Sequence, residues 1–253
     1  MQAQTMSEET THFGRRQVPV AEKASHVAQV FHSVANKYDM MNDLMSLGSH
    51  RLMKRFAVEL TAVRPGHQVM DLAGGTGDLT ELLSRKVGLT GEVILTDINY
   101  SMLSAGRTRL LDRGYAGNIR YLQADAEHLP LPDNTLNCVT MAFGLRNVTR
   151  KEQALKDILR VLKPGGKLVV LEFSHPVNPV FNTAYKAFSS LWPAVGKAIT
   201  GDRDSYQYLV ESIEMHPDQE TLRELFSDAG FQSAQYHNLI NGVAAIHTGV
   251  KPG

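Results

Sequence analysis

Val69-Met70-Asp71-Leu72-Ala73-Gly74-Gly75-Thr76-Gly77-Asp78-Leu79-Thr80 constrains this chain more than any other stretch, because an apolar run that ends in an acid and opens into glycines reads as strand, tight turn and helix. Glycines at such a turn admit positive φ and let a ligand approach the backbone without meeting a Cβ. The turn is therefore a candidate ligand site. The segments around it decide which sheet it begins and which ligand it holds.

Downstream the pattern alternates: helix Asp78 to Lys86, strand Glu92 to Thr96, helix Asn99 to Leu111, strand Ile119 to Gln123, strand Leu136 to Ala142, helix Lys151 to Leu162, strand Lys167 to Phe173. Such alternation predicts an α/β fold, a doubly wound and mainly parallel sheet with helices on both faces. Thr149 with Glu152 makes a capping-box pattern, and Lys163-Pro164-Gly165-Gly166 ends the helix that follows it. Leu222, Leu225, Phe226 and Ala229 mark one more amphipathic helix, closed by Gly230. The runs near Phe231 to Leu239 and Gly242 to Val250 suit an antiparallel hairpin at the sheet edge. Upstream, Val27, Val30, Phe31 and Val34, and then Leu52, Met53, Phe56 and Leu60, recur at helical spacing.

A single domain accounts for all of this. Residues 1–20 are polar and read as flexible, 21–62 as an N-terminal helical lid, and 63–173 as the cofactor-binding core. Residues 174–214 form an aromatic-rich helical insertion and 215–253 the last helix and strands. An insertion over the carboxyl ends of the strands is placed to shape a pocket, since open α/β sheets bind ligands there.

Composition narrows the function. With 253 residues, 43% of them hydrophobic, the chain can bury a substantial core, and 26 basic against 26 acidic residues create no global field for nucleic acid. One cysteine, Cys138, excludes an internal disulfide and a cysteine metal cluster and fits the cytoplasm, and the ten histidines show no zinc-helix spacing. Cys138 follows Asn137 inside an apolar strand and reads as core, not as a nucleophile. The apolar runs fall short of the roughly 20 residues of a spanning helix, and Met1 to Thr11 lacks the basic-then-apolar order of a signal peptide.

The neighbours of the turn select its ligand. A dinucleotide pattern starting at Gly75 needs glycine where this chain has Thr80, and no P-loop lysine follows. Asp71 and Asp78 would repel a pyrophosphate but suit a ligand with positive charge and no phosphate, the character of S-adenosylmethionine. Asp97 ends the second strand about twenty residues after the glycines, where an acid accepts ribose hydroxyls. Asp125 can take an adenine amino group and Ala126 can pack beside the ring.

Asp71 to Thr80, Asp97 and Lys163-Pro164-Gly165-Gly166 resemble the class I S-adenosylmethionine-dependent methyltransferases. A closer resemblance covers nearly the whole chain. It includes Thr10 to Gly14, Val30 to Ala35, Tyr38-Asp39 with Met41 to Leu44, Phe143 to Val148, Leu171 to Ser174, and Ser205-Tyr206 with Tyr208-Leu209. These segments are similar to the bacterial ubiquinone/menaquinone biosynthesis C-methyltransferases of the UbiE type, with Phe-Gly-Leu-Arg-Asn and the Met-Asn-Asp-Leu loop the most specific. The resemblance implies a Rossmann-like sheet of seven strands and S-adenosyl-L-methionine as cofactor. It implies ring-carbon methylation of 2-methoxy-6-polyprenyl-benzoquinol, demethylmenaquinol or both.

Family cofactor contacts map onto Thr76, Asp97, Asp125, Ala126 and Ala142, beside Asp71, Gly74, Gly75 and Gly77 of the turn. Some members carry serine at the position of Ala142, so alanine keeps only a backbone or packing role there. A polyprenyl tail implies transient contact with the inner face of the membrane by a cytoplasmic protein. A homodimer and association with other quinone-synthesis enzymes stay open.

For the chemistry, a quinol carbon becomes nucleophilic when the neighbouring hydroxyl, with a pKa near ~10, loses its proton. Arg146 and Asn147 are expected to orient the quinol oxygen, with Tyr38, Asp39 or Asp43 of the lid loop as proton acceptors. His32, His50 and His216 are lesser candidates, of which His50 is kept. No metal is required. Two alternatives remain: a methyltransferase for another small phenol, and a non-catalytic cofactor-binding subunit of a quinone-synthesis complex.

Overall fold

The computed structural model describes residues 9–34, 43, 46, 48–200 and 203–253, with the side chains at 31–34, 184 and 198–200 outside that description. Its centre is a seven-stranded sheet of β3 (Gln68–Leu72), β4 (Glu92–Asp97), β5 (Ile119–Gln123), β6 (Leu136–Ala142), β7 (Leu162–Phe173), β8 (Gln232–Leu239) and β9 (Ala244–Val250). The order across the sheet is β5-β4-β3-β6-β7-β9-β8, with β5 to β7 parallel along it and β9 antiparallel to both its neighbours. The expected doubly wound sheet and C-terminal hairpin are both present.

Strand alternation assigns the two faces. Met70, Leu72, Val139, Met141, Leu168 and Val170 point to one side, where α5 (Lys151–Val161) and α9 (Gln219–Asp228) cover them with Leu155, Ile158, Leu222 and Phe226. Val69, Val93, Cys138, Val169 and Leu171 point to the other, against α2 (His50–Leu60) and α3 (Asp78–Val87). Each fully buried leucine contributes about 1.5–3 kcal/mol, so a sheet covered on one side only would forfeit half its driving force. α4 (Tyr100–Asp112) packs Leu103 and Leu110 on Leu95 and Ile119. The insertion is α6 (Pro179–Ser189), α7 (Trp192–Thr200) and α8 (Arg203–Glu214).

Four expectations change. Within 1–20, Thr10–Phe13 (β1) and Arg16–Pro19 (β2) form an antiparallel hairpin leading into α1 (Val20–Val34), so the described part of this segment is ordered. Its turn sits on α8: Arg15 N donates to Glu211 at 3.1 Å, the Arg15 guanidinium meets Glu214 at 2.6 Å, and Phe13 stacks on Tyr208 with centroids 4.3 Å apart. The long sequence separation of these contacts is why a local reading missed them.

Helix α2 turns a different face inward from the one its apolar spacing suggests. His50, Met53, Lys54, Ala57 and Val58 are buried, while Leu52 and Phe56 are exposed, Phe56 lying edge-on to His237 of β8. Ionic partners of Lys54 and His50 outweigh the apolar stripe. Thr149 and Glu152 do not form the capping box: the residue before α5 is Arg150, without a side-chain cap, and its N–H donates to Glu127 Oε1 at 2.9 Å. Finally, β7 begins at Leu162, with Lys163 to Gly166 bulging between the pairs Leu136–Leu162 and Cys138–Lys167.

Candidate functional site

The carboxyl ends of β3 and β6 approach so closely that a Cβ on Gly144 would lie 2.6 Å from Cβ of Ala73. The chain leaves both strands through non-glycine residues in the left-handed region, Ala73 at φ 53° and Phe143 at φ 58°. Such residues cost about 1–3 kcal/mol each and gather at functional sites. Here they open the floor of a cleft with about 830 Å³ of non-protein space, lined by Ala73, Gly75, Asp97, Asn99, Asp125, Ala126, Phe143 and Asn147, with Ala24, Val27 and Ala28 of α1 as its lid.

The glycine turn is fixed from several sides. Gly74 N donates to Thr96 O and Gly77 N to Gly74 O, both at 2.9 Å. Gly75 adopts φ 55° and donates its N–H to Asp97 Oδ2 at 3.0 Å. A Cβ on Gly74 would lie 2.3 Å from Leu95 and 2.8 Å from the Asp71 carboxylate, so only glycine fits. Arg109 of α4 reaches across to the Thr76 carbonyl at 2.8 Å and to Asp78 Oδ1 at 2.6 Å. Lys54 of α2 takes the other oxygen of Asp78 at 2.7 Å. Burial works to raise Asp78, but Lys54 and Arg109 outweigh it and hold the carboxyl at about 2.

Asp71 and Asp97 have separate tasks. Asp71 is wholly buried, with one oxygen accepting from Thr80 at 2.7 Å and the other from Thr140 at 3.2 Å, so it ties β3 to α3 and β6. Burial raises it to about 6 against the pull of those hydroxyls. Asp97 lines the cleft and accepts from Asn99 N at 2.8 Å as well as from Gly75. Burial lifts it too to about 6, with the N–H groups of Asn99 and Gly75 opposing the rise. A desolvated carboxylate with lone pairs to spare on a cleft wall is suited to accept paired hydroxyls. Asp125 and Ala126 follow β5 at the far wall, and Asp125 Oδ1 accepts from Glu127 N at 2.9 Å. Ala142 ends β6 beside a small cavity that it shares with Lys54, Asp71 and the glycine turn.

Beyond β6, Leu145–Asn147 makes one 3-10 turn that separates Arg146 from Asn147. Asn147 lines the cleft and accepts from the Tyr208 hydroxyl at 2.9 Å. Arg146 lies behind it, buried, with Nη1 donating to Glu172 Oε1 at 2.8 Å and to Phe143 O, and its N–H donating to Glu172 Oε2 at 3.1 Å. Its guanidinium sits 5.5 Å from the centroid of Phe173. Burial pushes the Tyr208 phenol up to about 12 although Arg146 pulls the other way, so it stays a neutral donor to Asn147.

The lid-loop candidates meet the site unevenly. Tyr38, Asp39 and the side chain of His32 lie outside the described residues. Asp43 is held by His50 at 2.8 Å and by Arg51 at 2.6 Å, and its hydrogen bond from His50, with help from Arg51, keeps it below the ordinary carboxyl range. His216 is buried and kept neutral, chiefly by that burial and then by Lys151 and Arg146. Cys138 is core, its thiol raised by burial to about 12. Residues the sequence reading missed are Lys54, Arg109, Glu172 and Tyr208. Glu172 and Tyr208 lay inside matched segments, but nothing local marks an acid on a buried strand as the partner of an arginine 26 positions away.

The residues fit S-adenosyl-L-methionine: a turn that excludes Cβ atoms, a carboxylate for ribose hydroxyls and no cation set for a pyrophosphate. The model of the ubiE/COQ5 methyltransferase family matches residues 19–251. The ubiquinone/menaquinone biosynthesis C-methyltransferase UbiE of Stutzerimonas stutzeri is 61% identical over 97% of this chain and 96% of its own length. Its namesake in Pseudomonas putida strain W619 is 60% identical over the same shares. Among solved structures, a SAM-dependent methyltransferase from Aquifex aeolicus superposes with a TM-score of 0.61 at 16% identity, over 84% of this chain and 97% of that one, a likeness of fold alone.

Proposed function

Because the chain belongs to the ubiE/COQ5 methyltransferase family, we propose that it methylates a ring carbon of a polyprenyl quinol on the route to ubiquinone, menaquinone or both. It is an S-adenosylmethionine-dependent C-methyltransferase. Its acceptors are 2-methoxy-6-polyprenyl-benzoquinol, demethylmenaquinol or both.

The observation that carries the reading is the pairing, at one strand end, of a cleft for the cofactor with a buried guanidinium among aromatic rings. S-adenosyl-L-methionine, when bound, supplies an electrophilic methyl on a good neutral leaving group. Asp97 holds the ribose hydroxyls, Asp125 and Ala126 the adenine, and Gly74, Gly75, Thr76 and Gly77 the amino-acid end against Ala142. Asp71 acts on this arrangement from behind, by fixing the turn through Thr80.

Tyr208 occupies the side-chain oxygen of Asn147, so the amide is left with its N–H donors for the quinol oxygen. Those donors favour the phenolate, which raises electron density on the ring carbon. Arg146 is a positioning and electrostatic residue: clamped on Phe143 O and Glu172, it sets the turn that carries Asn147 and adds positive potential beside the developing phenolate. As the carbon–carbon bond forms, the ring hydrogen leaves as a proton, taken by Tyr38 or Asp39 of the lid loop. Asp43, held low by His50 and Arg51, is a weaker base. Alignment of carbon, methyl and sulfur supplies much of the acceleration.

The acceptor's tail brings the cytoplasmic protein to the inner face of the membrane. Among the described residues no helix is long and apolar enough to cross it. Assaying lipid extracts with methyl-labelled cofactor tests the reading: a labelled quinol is the expected product, and cofactor binding without turnover on any quinol would sink it.

A further inference from the structure

From Phe173 through Gly201 the sequence has no Asp or Glu, although the whole chain carries 26, and it has Lys186 and Lys197. The same stretch presents apolar side chains to solvent. Val177 is 60% exposed, Val180 81% and Leu191 59%, and Phe181 and Phe188 are exposed as well. Phe181 and Phe188 lie seven positions apart, so they share a face of α6, which Val177 and Leu191 extend at its ends. The helix start is firmly set, with Asn178 Oδ1 accepting from Val180 N at 2.9 Å and from Phe181 N at 3.2 Å. A loop tie from Val177 N to Asn241 O at 3.0 Å adds exposed Ile240 to the patch.

The other face of α6 has a separate task. Asn182, Tyr185 and Ser189 roof a cavity whose walls are Phe173, Trp192 and Ile213. Phe173 is the ring beside the Arg146 guanidinium, and burial raises the Tyr185 phenol while the positive charge of Arg146 opposes it. The cavity therefore leads from beneath the exposed apolar face toward Arg146.

We propose that α6, with Val177 and Leu191 at its ends, is an interfacial helix that docks on an anionic phospholipid surface, and that the cavity beneath it admits the isoprenoid chain of the acceptor. The inference rests on the lipid-tailed quinol reading and assigns it a surface and a port. At 11 residues, α6 is about 16 Å long, which suits a helix lying in the plane of the headgroups and not one crossing the bilayer. The absence of acids removes the repulsion that an average surface segment would meet there. Each lysine near an anionic surface strengthens binding about fivefold at low salt.

The test uses the full chain and vesicles of phosphatidylcholine, with and without phosphatidylglycerol. Wild type is expected to float with the anionic vesicles, to bind them less at high salt, and to have its sole tryptophan, Trp192, quenched by brominated acyl chains. Val180→Glu and Leu191→Glu change exposed side chains and should fold normally by circular dichroism. Each should weaken vesicle binding at least about tenfold. Each should keep turnover on a short-tailed, water-soluble quinol while losing turnover on a long-tailed quinol in vesicles. Unchanged vesicle binding by these variants overturns the proposal. So does conversion of a dimer to a monomer with vesicle binding intact, which would make the face a self-association surface. If wild type floats and is quenched but methylates no quinol of any tail length, docking stands and the quinol reading fails.

Discussion

Acidification should release the cofactor through Asp97. In the cofactor-free fold this carboxyl sits at about 6, against an ordinary 3.8, because burial penalises its charge more than the N–H groups of Asn99 and Gly75 repay. Ribose hydroxyls donate hydrogen bonds, so tight binding requires the ionised form. Above pH 7 the group is ionised before binding and affinity is flat. Below about 6, binding must first remove a proton, and affinity falls about tenfold per pH unit, because one unit is about 1.4 kcal/mol.

The sign for stability runs the other way. A raised carboxyl makes the cofactor-free fold lose stability as pH rises from about 4 through about 6, so bound cofactor should raise the melting temperature more at pH 8 than at pH 5. Calorimetric titration with S-adenosylhomocysteine across that range measures the affinity directly, and Asp97→Asn should bind weakly with little pH dependence. Wild-type affinity that stays flat down to pH 5, or Asp97→Asn keeping the full slope, would refute the reasoning.

Other substitutions separate the remaining roles. Arg146→Ala leaves Glu172 buried and unpaired, which should cost about 3–5 kcal/mol in urea unfolding. Arg146→Ala with Glu172→Ala should recover much of that stability, yet its turnover should stay about 10²–10³ below wild type with cofactor affinity kept; near-normal turnover in the double variant rules out the electrostatic role. Lys54→Met removes a partner of Asp78, so S-adenosylhomocysteine should bind less well while 5′-methylthioadenosine, which lacks the amino acid, should not. The stability that Lys54 gives Asp78 is present above about pH 4, so the gap between wild type and variant in urea unfolding should close as pH falls through about 2. Gly106→Ala places a Cβ 2.5 Å from the carbonyl of Gly75, and the displaced turn should cost about 1–3 kcal/mol of stability and weaken homocysteine-product binding. An unchanged affinity there would mean that the turn tolerates the shift.

What could be read from the chain alone was what local physics fixes. The strand-turn-helix at Asp71 to Thr80, the alternation that builds the sheet and the carboxylates at Asp97 and Asp125 all stand where spacing put them, since each is set by residues a few positions apart. The reading failed where distant partners override local preference. Leu52 and Phe56 looked like the buried face of α2, but Asp43 and Asp78, which pair with His50 and Lys54, rotate the helix. The first twenty residues looked too polar to order, but Phe13 finds Tyr208 and Arg15 finds Glu214 far along the chain. For the same reason Arg146 was legible as a functional residue but its clamp on Glu172 was not: the pair exists only once β6 and β7 lie side by side.

The central claim is that this cleft delivers a methyl group to the carbon of a quinol ring. The most direct measurement supplies the purified chain with carbon-13 methyl-labelled S-adenosyl-L-methionine and reduced demethylated benzoquinol or naphthoquinol, then locates the label by NMR. The account predicts a methyl bonded to ring carbon. Label on a quinol oxygen, or tight cofactor binding with no labelled quinol from either ring, would contradict it.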